Sequence, residues 1–595
     1  MDSDRRLRGH ERPNRRILLV WLALSALILL AAMQRIMQGQ FPDPDDALRL
    51  VQVRDLLAGQ NWFDTTQYRI DPPGGSPMHW SRLVDIPLVL VIGLLTPLFG
   101  QSTAEQVALI AVPLLTFGVA LWCIGRLAWR LFDKQVATYA MLVCGFMPAL
   151  LFQFQPLRID HHGWQIASVC AALWALALRK PHHGGAVAGI AMAVGLSISI
   201  EILPMAATFA AVLFVRWLRD HHARWWLVAY LQALAIGLGA IFLLTRGLRD
   251  LAQHCDAISP AHIGFFLVVA LGVGAIGWRS RATSLALIAL LGLAGAAGIG
   301  FFALSSPDCV ATPFGSLDPL VKDYWYVYVM EGQPYWRQQQ AQAVPVLVQL
   351  LVALAAALAL RARSKDWLRN WWTDYALLLA GALLLALFVW RSAAFASALA
   401  AIPLGWLLAG LLTRLRHAQG AGGKVGAIAL IVLLLAPSTP LFLQRKLIPL
   451  EDEAQVTHVE ESGCAIREQA AKLDALAPAT LFAPLDIGPA ILVKSRHAVV
   501  ATGHHRAETA MHDVIAAFTS DPDEARQIVK RHGGDYIVMC SDLVEPRLYA
   551  SANPQGLMAR LLAGNTPGWL EPVAFDGPAE FRIWKVRKEP GAKPE

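Results

Sequence analysis

The stretch Ile17-Leu-Leu-Val-Trp-Leu-Ala-Leu-Ser-Ala-Leu-Ile-Leu-Leu-Ala-Ala32 carries no charge, and the 16 residues before it hold six arginines. An apolar run entered from a basic flank reads as a membrane span whose positive side stays behind. The layout is also that of a signal peptide. No small-residue cleavage site leading into a soluble segment follows, so the run is read as an uncleaved first span.

The rest of the chain repeats this pattern. Of its 595 residues, 56% are hydrophobic and only 16% charged, too apolar for a soluble domain of this length. The net charge of +7 is not pooled on one face but spread over short loops between apolar runs, as orientation signals are, so nucleic acid is excluded as a partner. Seven cysteines without CxxC spacing give no zinc framework.

With the basic N-terminus (1–16) in the cytoplasm, the loops around Arg126, Arg179, Arg216, Arg279, Arg361 and Arg414 fall on the same side, and pairs of apolar runs return the chain to it each time. The run 84–100 breaks the alternation if it crosses, so with Pro87 and Pro97 it is expected to be re-entrant or interfacial. The expected architecture is a polytopic α-helical domain, 17–446, of 13 spans, followed at 447–595 by an extracytoplasmic α/β domain. In that last region short apolar strands at 481–483, 498–501 and 536–540 alternate with helical stretches at 507–518 and 522–532. The run 202–215 is short for a span. The implied location is a plasma (inner) membrane, with the C-terminal domain periplasmic or extracellular.

This topology gathers the clustered acids on the outward side, in large loops 36–82 and 305–343 and in the turn Arg158-Ile-Asp-His-His162. The first loop opens Phe41-Pro-Asp-Pro-Asp-Asp-Ala47 and continues through Arg54, Gly59 and Trp62-Phe-Asp64 to a Pro/Gly-rich turn at 71–77. A solvated loop carries single acids at little cost. Asp160 differs: it sits between two spans beside two histidines, where an acid needs a partner, water or a cation. His161 and His162 are plausible metal ligands or phosphate contacts. Glu201, at a membrane boundary, either reaches the same site or caps a span. The tryptophans Trp325, Trp336, Trp371 and Trp372 are expected as interface anchors.

These residues, in this order, resemble the GT-C superfamily of membrane glycosyltransferases, and within it the catalytic subunit of oligosaccharyltransferase. Asp43-Pro-Asp-Asp46 with Arg54, Gly59 and Trp62-Phe-Asp64 is similar to that family's first outer loop. Asp160-His-His162 looks like its second acidic motif, and Val329-Met-Glu331 before Gln333-Pro334 resembles its Thr-Ile-x-Glu segment. Arg391 is placed like the arginine that contacts the donor phosphate. The pattern departs at the C-terminal domain: where the family reads its peptide acceptor with Trp-Trp-Asp-Tyr-Gly, this chain has Pro484-Leu-Asp486-Ile-Gly488, followed by Gly503-His-His-Arg506.

The resemblance implies inverting transfer of a sugar or oligosaccharide from a polyprenyl-(di)phosphate donor to an acceptor protein, lipid or glycan. Such chemistry needs a carboxylate for the acceptor, positive charge for the leaving phosphate and an apolar groove for the lipid. The candidate base lies among Asp43, Asp45 and Asp46; counting back from Arg54 favours Asp45. Asp45, Asp160 and Glu331, with His161 or His162, are the candidate ligands of a divalent cation, Mg2+ or Mn2+. Arg391 would bind the donor phosphate. His504, His505 and Arg506 would contact acceptor or phosphate. Cys255 with Cys309 and Cys464 with Cys540 are candidate disulfides in an oxidising compartment. The competing readings are a single-sugar GT-C transferase acting on lipid, glycan or hydroxyl acceptors, and a lipid-linked glycan transporter or flippase.

Overall fold

The structure, a computed structural model, describes residues 13–279, 283–310, 317–439 and 462–588. The basic residues before 13, the end of the last expected span and the expected domain boundary near 446 lie outside them. Among the described residues ten helices are long and apolar enough to cross a membrane, or eleven if the bent pair Lys134–Cys144 and Pro148–Phe154 is one span. The chain is thus a polytopic helical membrane protein with a C-terminal region built on a mixed sheet.

Two expectations change. The run 84–100 is one continuous helix, Arg82–Phe99, started by the Ser81 side chain, which accepts the Leu83 N–H; its prolines do not break it. The expected 13 spans exceed the ten or eleven found among the described residues: Arg82–Phe99 is added, but the helices His162–Ala175 and Ala421–Leu435 have only 14 and 15 residues, and Pro181–Ile198, with 18, is not among those apolar enough to cross. Conversely the run 202–215 extends through a short turn to a full-length segment, Ile200–Arg219.

The helices divide into two compact units, each continuous in space but not in sequence. The first comprises Met1–Gln40, Ser81–Pro313 and Met330–Leu450; the second comprises Phe41–Trp80, Phe314–Val329 and Glu451–Glu595.

In the first unit small residues and buried hydrogen bonds hold helices that lipid alone would not drive together. The helix Pro181–Ile198 lies so close to Arg224–Thr245 that a Cβ on Gly189 would sit 2.2 Å from the Tyr230 carbonyl oxygen. The buried Tyr230 hydroxyl donates to the Ala206 carbonyl at 2.8 Å, and the Trp21 indole donates to the Leu114 carbonyl at 2.7 Å. Trp371 and Trp372 are 6% and 1% exposed, with Trp372 against Phe132 and Tyr375, so they are core residues and not interface anchors. A disulfide joins Cys255 to Cys309.

The second unit is built on a five-stranded sheet in the order 498–499, 480–482, 536–540, 581–586, 570–572. The first three strands are parallel and the last two pairings antiparallel. The strands at 481, 498 and 536 were expected from sequence; Leu570–Pro572 and Phe581–Val586 were not. Cys464 is bonded to Cys540. The segment 41–80 belongs to this sheet. Ile70 bridges Val499, and the Asp71 N–H donates to the Val499 carbonyl at 2.9 Å, so the loop covers an edge strand that would otherwise expose unpaired backbone. Arg54 donates to the Val493 carbonyl at 2.7 Å, and Arg69 donates to the Leu492 and Ser495 carbonyls at 2.8 and 2.9 Å. Two guanidinium groups thereby take up the end carbonyls of the helix Gly488–Lys494.

A second clasp runs through a histidine. The His532 imidazole lies between two carboxylates, with Nδ1 2.9 Å from Asp71 and Nε2 2.9 Å from Asp513. Burial alone would raise the Asp513 carboxyl, but hydrogen bonds from His532, His512 and Arg531 outweigh it and hold the group below its usual value of 3.8. A carboxyl depressed on folding adds stability that is complete above its unfolded pKa and is lost as pH falls through the folded one. Thermal melts between pH 5 and pH 3 should therefore show wild type losing more of its melting temperature than Asp513→Asn over that window.

Candidate functional site

The turn that carries Asp160 is shaped by a bend. The helix Lys134–Cys144 begins on Asp133, whose side chain accepts the Gln135 and Val136 N–H groups, and the next helical piece, Pro148–Phe154, departs at 72°. The chain then turns back through Leu157, at φ +69°, whose N–H donates to the Leu109 carbonyl at 2.9 Å. Helix His162–Ala175 starts immediately afterwards. A Cβ on Gly163 would stand 2.9 Å from the Gln153 carbonyl oxygen, so only glycine lets the helix begin this close to the preceding turn.

Four buried side chains meet there. Arg158 donates to Gln153 at 3.2 Å, lies over the Phe152 ring at 5.0 Å and pairs with Asp160 at 3.0 Å. The Asp160 carboxylate accepts the His162 N–H at 3.1 Å and faces His162 Nδ1 at 2.7 Å. The His161 and His162 rings stack at 4.1 Å. Burial alone would raise the Asp160 carboxyl; the Arg158 guanidinium and the His162 imidazole hold it well below the usual carboxylate range. Arg158 stands in the quoted motif, where no role was expected of it. The signal was available: an arginine two residues before an acid, between two apolar runs.

Three more side chains reach this turn from distant segments. Glu201 sits in the short turn Ile200–Ile202, where the Ser199 side chain accepts its N–H. It lies 3.2 Å from His161 Nε2 and 3.8 Å from His162 Nε2. Glu331, on the turn Met330–Gly332, lies 3.8 Å from His162 Nε2 and 4.0 Å from Arg158. Arg391, on the turn Trp390–Ser392, pairs with Glu331 at 3.1 Å and with Glu201. The Trp390 N–H donates to the Gln333 carbonyl at 3.1 Å and ties these last two turns together. The undecided Glu201 therefore belongs to the cluster, which brings together Asp160, His161, His162, Glu331 and Arg391.

The remaining candidates belong to the second unit. Asp43 caps the helix Pro44–Leu57 by accepting the Asp45 N–H at 2.9 Å, while Asp45 and the fully buried Asp46 lie in its first turn. His504 and His505 stack at 5.2 Å, and His79, which the sequence reading passed over, lies 5.0 and 4.8 Å from them. Arg506 follows in the same short turn. Trp325 stacks on His505 at 6.4 Å and is therefore part of this unit's packing.

The donor chemistry of the first cluster fits a divalent cation. Ligand atoms of Asp160, His161 and His162 all lie within 4.8 Å of one another. His162 Nε2 is buried and makes no hydrogen bond, while facing two carboxylates.

No protein-family model matches the sequence, and no curated protein matches it significantly. The fold itself is similar to that of solved oligosaccharyltransferase structures. The solved structures that share it include the archaeal oligosaccharyltransferase AglB from Archaeoglobus fulgidus, in complex with an inhibitory peptide and a dolichol-phosphate. That match has a TM-score of 0.64 at 15% identity and covers 97% of this chain and 75% of that one. An Archaeoglobus fulgidus oligosaccharyltransferase in the apo form gives 0.65 at 14% identity, over 96% and 75%. A complex with Zn and sulfate gives 0.56 at 14% identity, over 91% and 69%.

Removing one partner of a buried ion pair leaves the other uncompensated. Arg158→Ala should cost about 3–5 kcal/mol of stability in detergent unfolding, and adding Asp160→Asn to that variant should recover part of the loss.

Proposed function

We propose that the chain is a glycosyltransferase that moves a sugar or oligosaccharide from a polyprenyl-phosphate or polyprenyl-diphosphate donor to an acceptor on the non-cytoplasmic face of the membrane. The charge inventory of the cluster carries this reading. Three carboxylates, on Asp160, Glu201 and Glu331, stand against two guanidinium groups, on Arg158 and Arg391. With neutral imidazoles this leaves one net negative charge, which repels a phosphate. A divalent cation, held by the imidazoles and carboxylates, would reverse the sign and supply Lewis-acid stabilisation of the leaving phosphate. Imidazole among the donors favours Mn2+ over Mg2+.

The protein's own groups divide the remaining work. Arg391, whose planar fork already spans two carboxylates, is suited to take a donor phosphate oxygen in exchange for one of them. Asp45 is the carboxylate proposed to activate the acceptor. The archaeal enzyme with this fold was solved with a dolichol-phosphate, which supports the donor class. Two disulfides support an oxidising compartment for the regions that hold them.

The acceptor is a separate matter. The segment Pro484–Gly488 has neither Trp nor Tyr. Its Leu485 and Asp486 N–H groups are taken by the buried Glu545 carboxylate at 2.7 and 2.9 Å. That observation favours the second reading, transfer to a lipid, glycan or hydroxyl acceptor in place of a sequon peptide.

The test is transfer of radiolabel from a polyprenyl-phosphate sugar by the purified full-length chain. Product should disappear with EDTA, return with Mn2+, and fall about 100-fold or more in Asp45→Ala, Asp160→Ala and Glu331→Ala. A lipid, glycan or hydroxyl acceptor should be labelled more than a sequon peptide; the reverse ranking would return the chain to peptide glycosylation. Label that crosses a proteoliposome bilayer with no new glycosidic bond would mean a transporter.

A further inference from the structure

We infer that Glu201 is a direct ligand of the divalent cation in the first-unit cluster, with His162 and Glu331, and that Asp160 is a positioning residue that sets His162. The inference rests on the cation of the proposed function but changes which residues hold it. From sequence, Asp160 is the acid ligand and Glu201 an undecided boundary residue.

The two nitrogens of His162 have different surroundings. Nδ1 faces the Asp160 carboxylate at 2.7 Å. A carboxylate only accepts, so Nδ1 carries the proton and Nε2 presents its lone pair. Nε2 is buried, makes no hydrogen bond, and faces Glu201 Oε2 and Glu331 Oε1, each at 3.8 Å. The buried Nε2 lone pair thus faces two half-buried carboxylates that Arg391 only partly neutralises, and a cation among these donors would relieve their repulsion. Two donors on one ion, each about 2.0–2.2 Å from it, stand roughly 3–3.5 Å apart, so a closure of a few tenths of an ångström suffices. His161 Nε2, 3.2 Å from Glu201 Oε2, is the neighbouring imidazole able to join them.

Asp160 is committed elsewhere. The Oδ2 that faces His162 Nδ1 is the same oxygen that pairs with the Arg158 guanidinium at 3.0 Å, and Oδ1 accepts the His162 N–H. Direct coordination would require it to give up these contacts. An acid on the far nitrogen of a ligating histidine is the usual means of fixing that ring's tautomer and orientation. Arg391 pairs with Glu201 through Oε1, which leaves Oε2 turned to the imidazoles, and with Glu331 through Oε1 at 3.1 Å, the oxygen that also faces His162 Nε2.

The experiment is Mn2+ titration of the EDTA-stripped full-length chain, followed by electron paramagnetic resonance, with the nitrogen modulation of a bound imidazole as a second signal. Glu201→Gln should weaken Mn2+ binding by more than 100-fold, and Glu201→Asp should restore most of it. Asp160→Asn should weaken it by about 10–100-fold and retain the imidazole signal. His162→Ala should lose that signal. Melting curves on each variant identify any that fails to fold, and Glu201→Asp then decides. Unchanged binding in Glu201→Gln, or Asp160→Asn abolishing it while Glu201→Gln does not, would overturn the assignment, as would wild type that binds no Mn2+. Wild type that binds Mn2+ in the expected variant order yet forms no product would sink the glycosyl-transfer reading and leave this one standing.

Discussion

The ion pair between Arg158 and Asp160 is the interaction on which the first unit's site depends. Both side chains are almost wholly buried. Charges taken from water at such a place are tolerated only when each is matched by an opposite charge and its remaining lone pairs or protons are bonded. Arg158 is matched by Asp160, braced by Gln153 and laid over Phe152; Asp160 in turn takes the His162 backbone and ring. The pair therefore settles where His162 points. Because His162 begins a helix, that choice is transmitted to the packing of the whole segment, and Gly163 allows the helix to start where the pair requires.

The same requirement explains why the other charges arrive from short turns. Glu201, Glu331 and Arg391 each sit in a one-turn element at the end of a long helix or between two others. Within a span they would have cost several kcal/mol; in these turns they reach one another and cancel in part. The site is thus assembled from helix ends, and one of its ion pairs, Arg391 with Glu201, joins residues 190 positions apart in sequence.

Much of this was legible before the structure. Asp160, His161, His162, Glu331 and Arg391 stand out because polar residues between apolar runs are conspicuous. The strand at 536–540 stands out for the opposite reason, an apolar run in a polar region. What was not legible depended on contacts between distant segments. Glu201 carries no local sign of its partners. The run 84–100 was expected to be re-entrant or interfacial because a full crossing breaks the charge alternation; as the helix Arg82–Phe99 it is continuous through both prolines, which membrane helices absorb when neighbours satisfy the freed carbonyls. The strand Phe581–Val586 was overlooked because Arg582 and Lys585 interrupt its alternation.

The second unit follows a different logic. Arg54, which reads from sequence as a feature of an outer loop, and Arg69 end the helix Gly488–Lys494 and so fasten the loop's backbone to the sheet region. The segment 41–80 is therefore not a free loop, and the position of Asp45 within its helix is inherited from the folding of residues more than 400 positions later. A substitution in the C-terminal sheet can disturb the proposed acceptor carboxylate without touching it. Loss of activity from a C-terminal variant is thus weak evidence that its side chain meets the acceptor, unless the fold of 41–80 is shown to be intact.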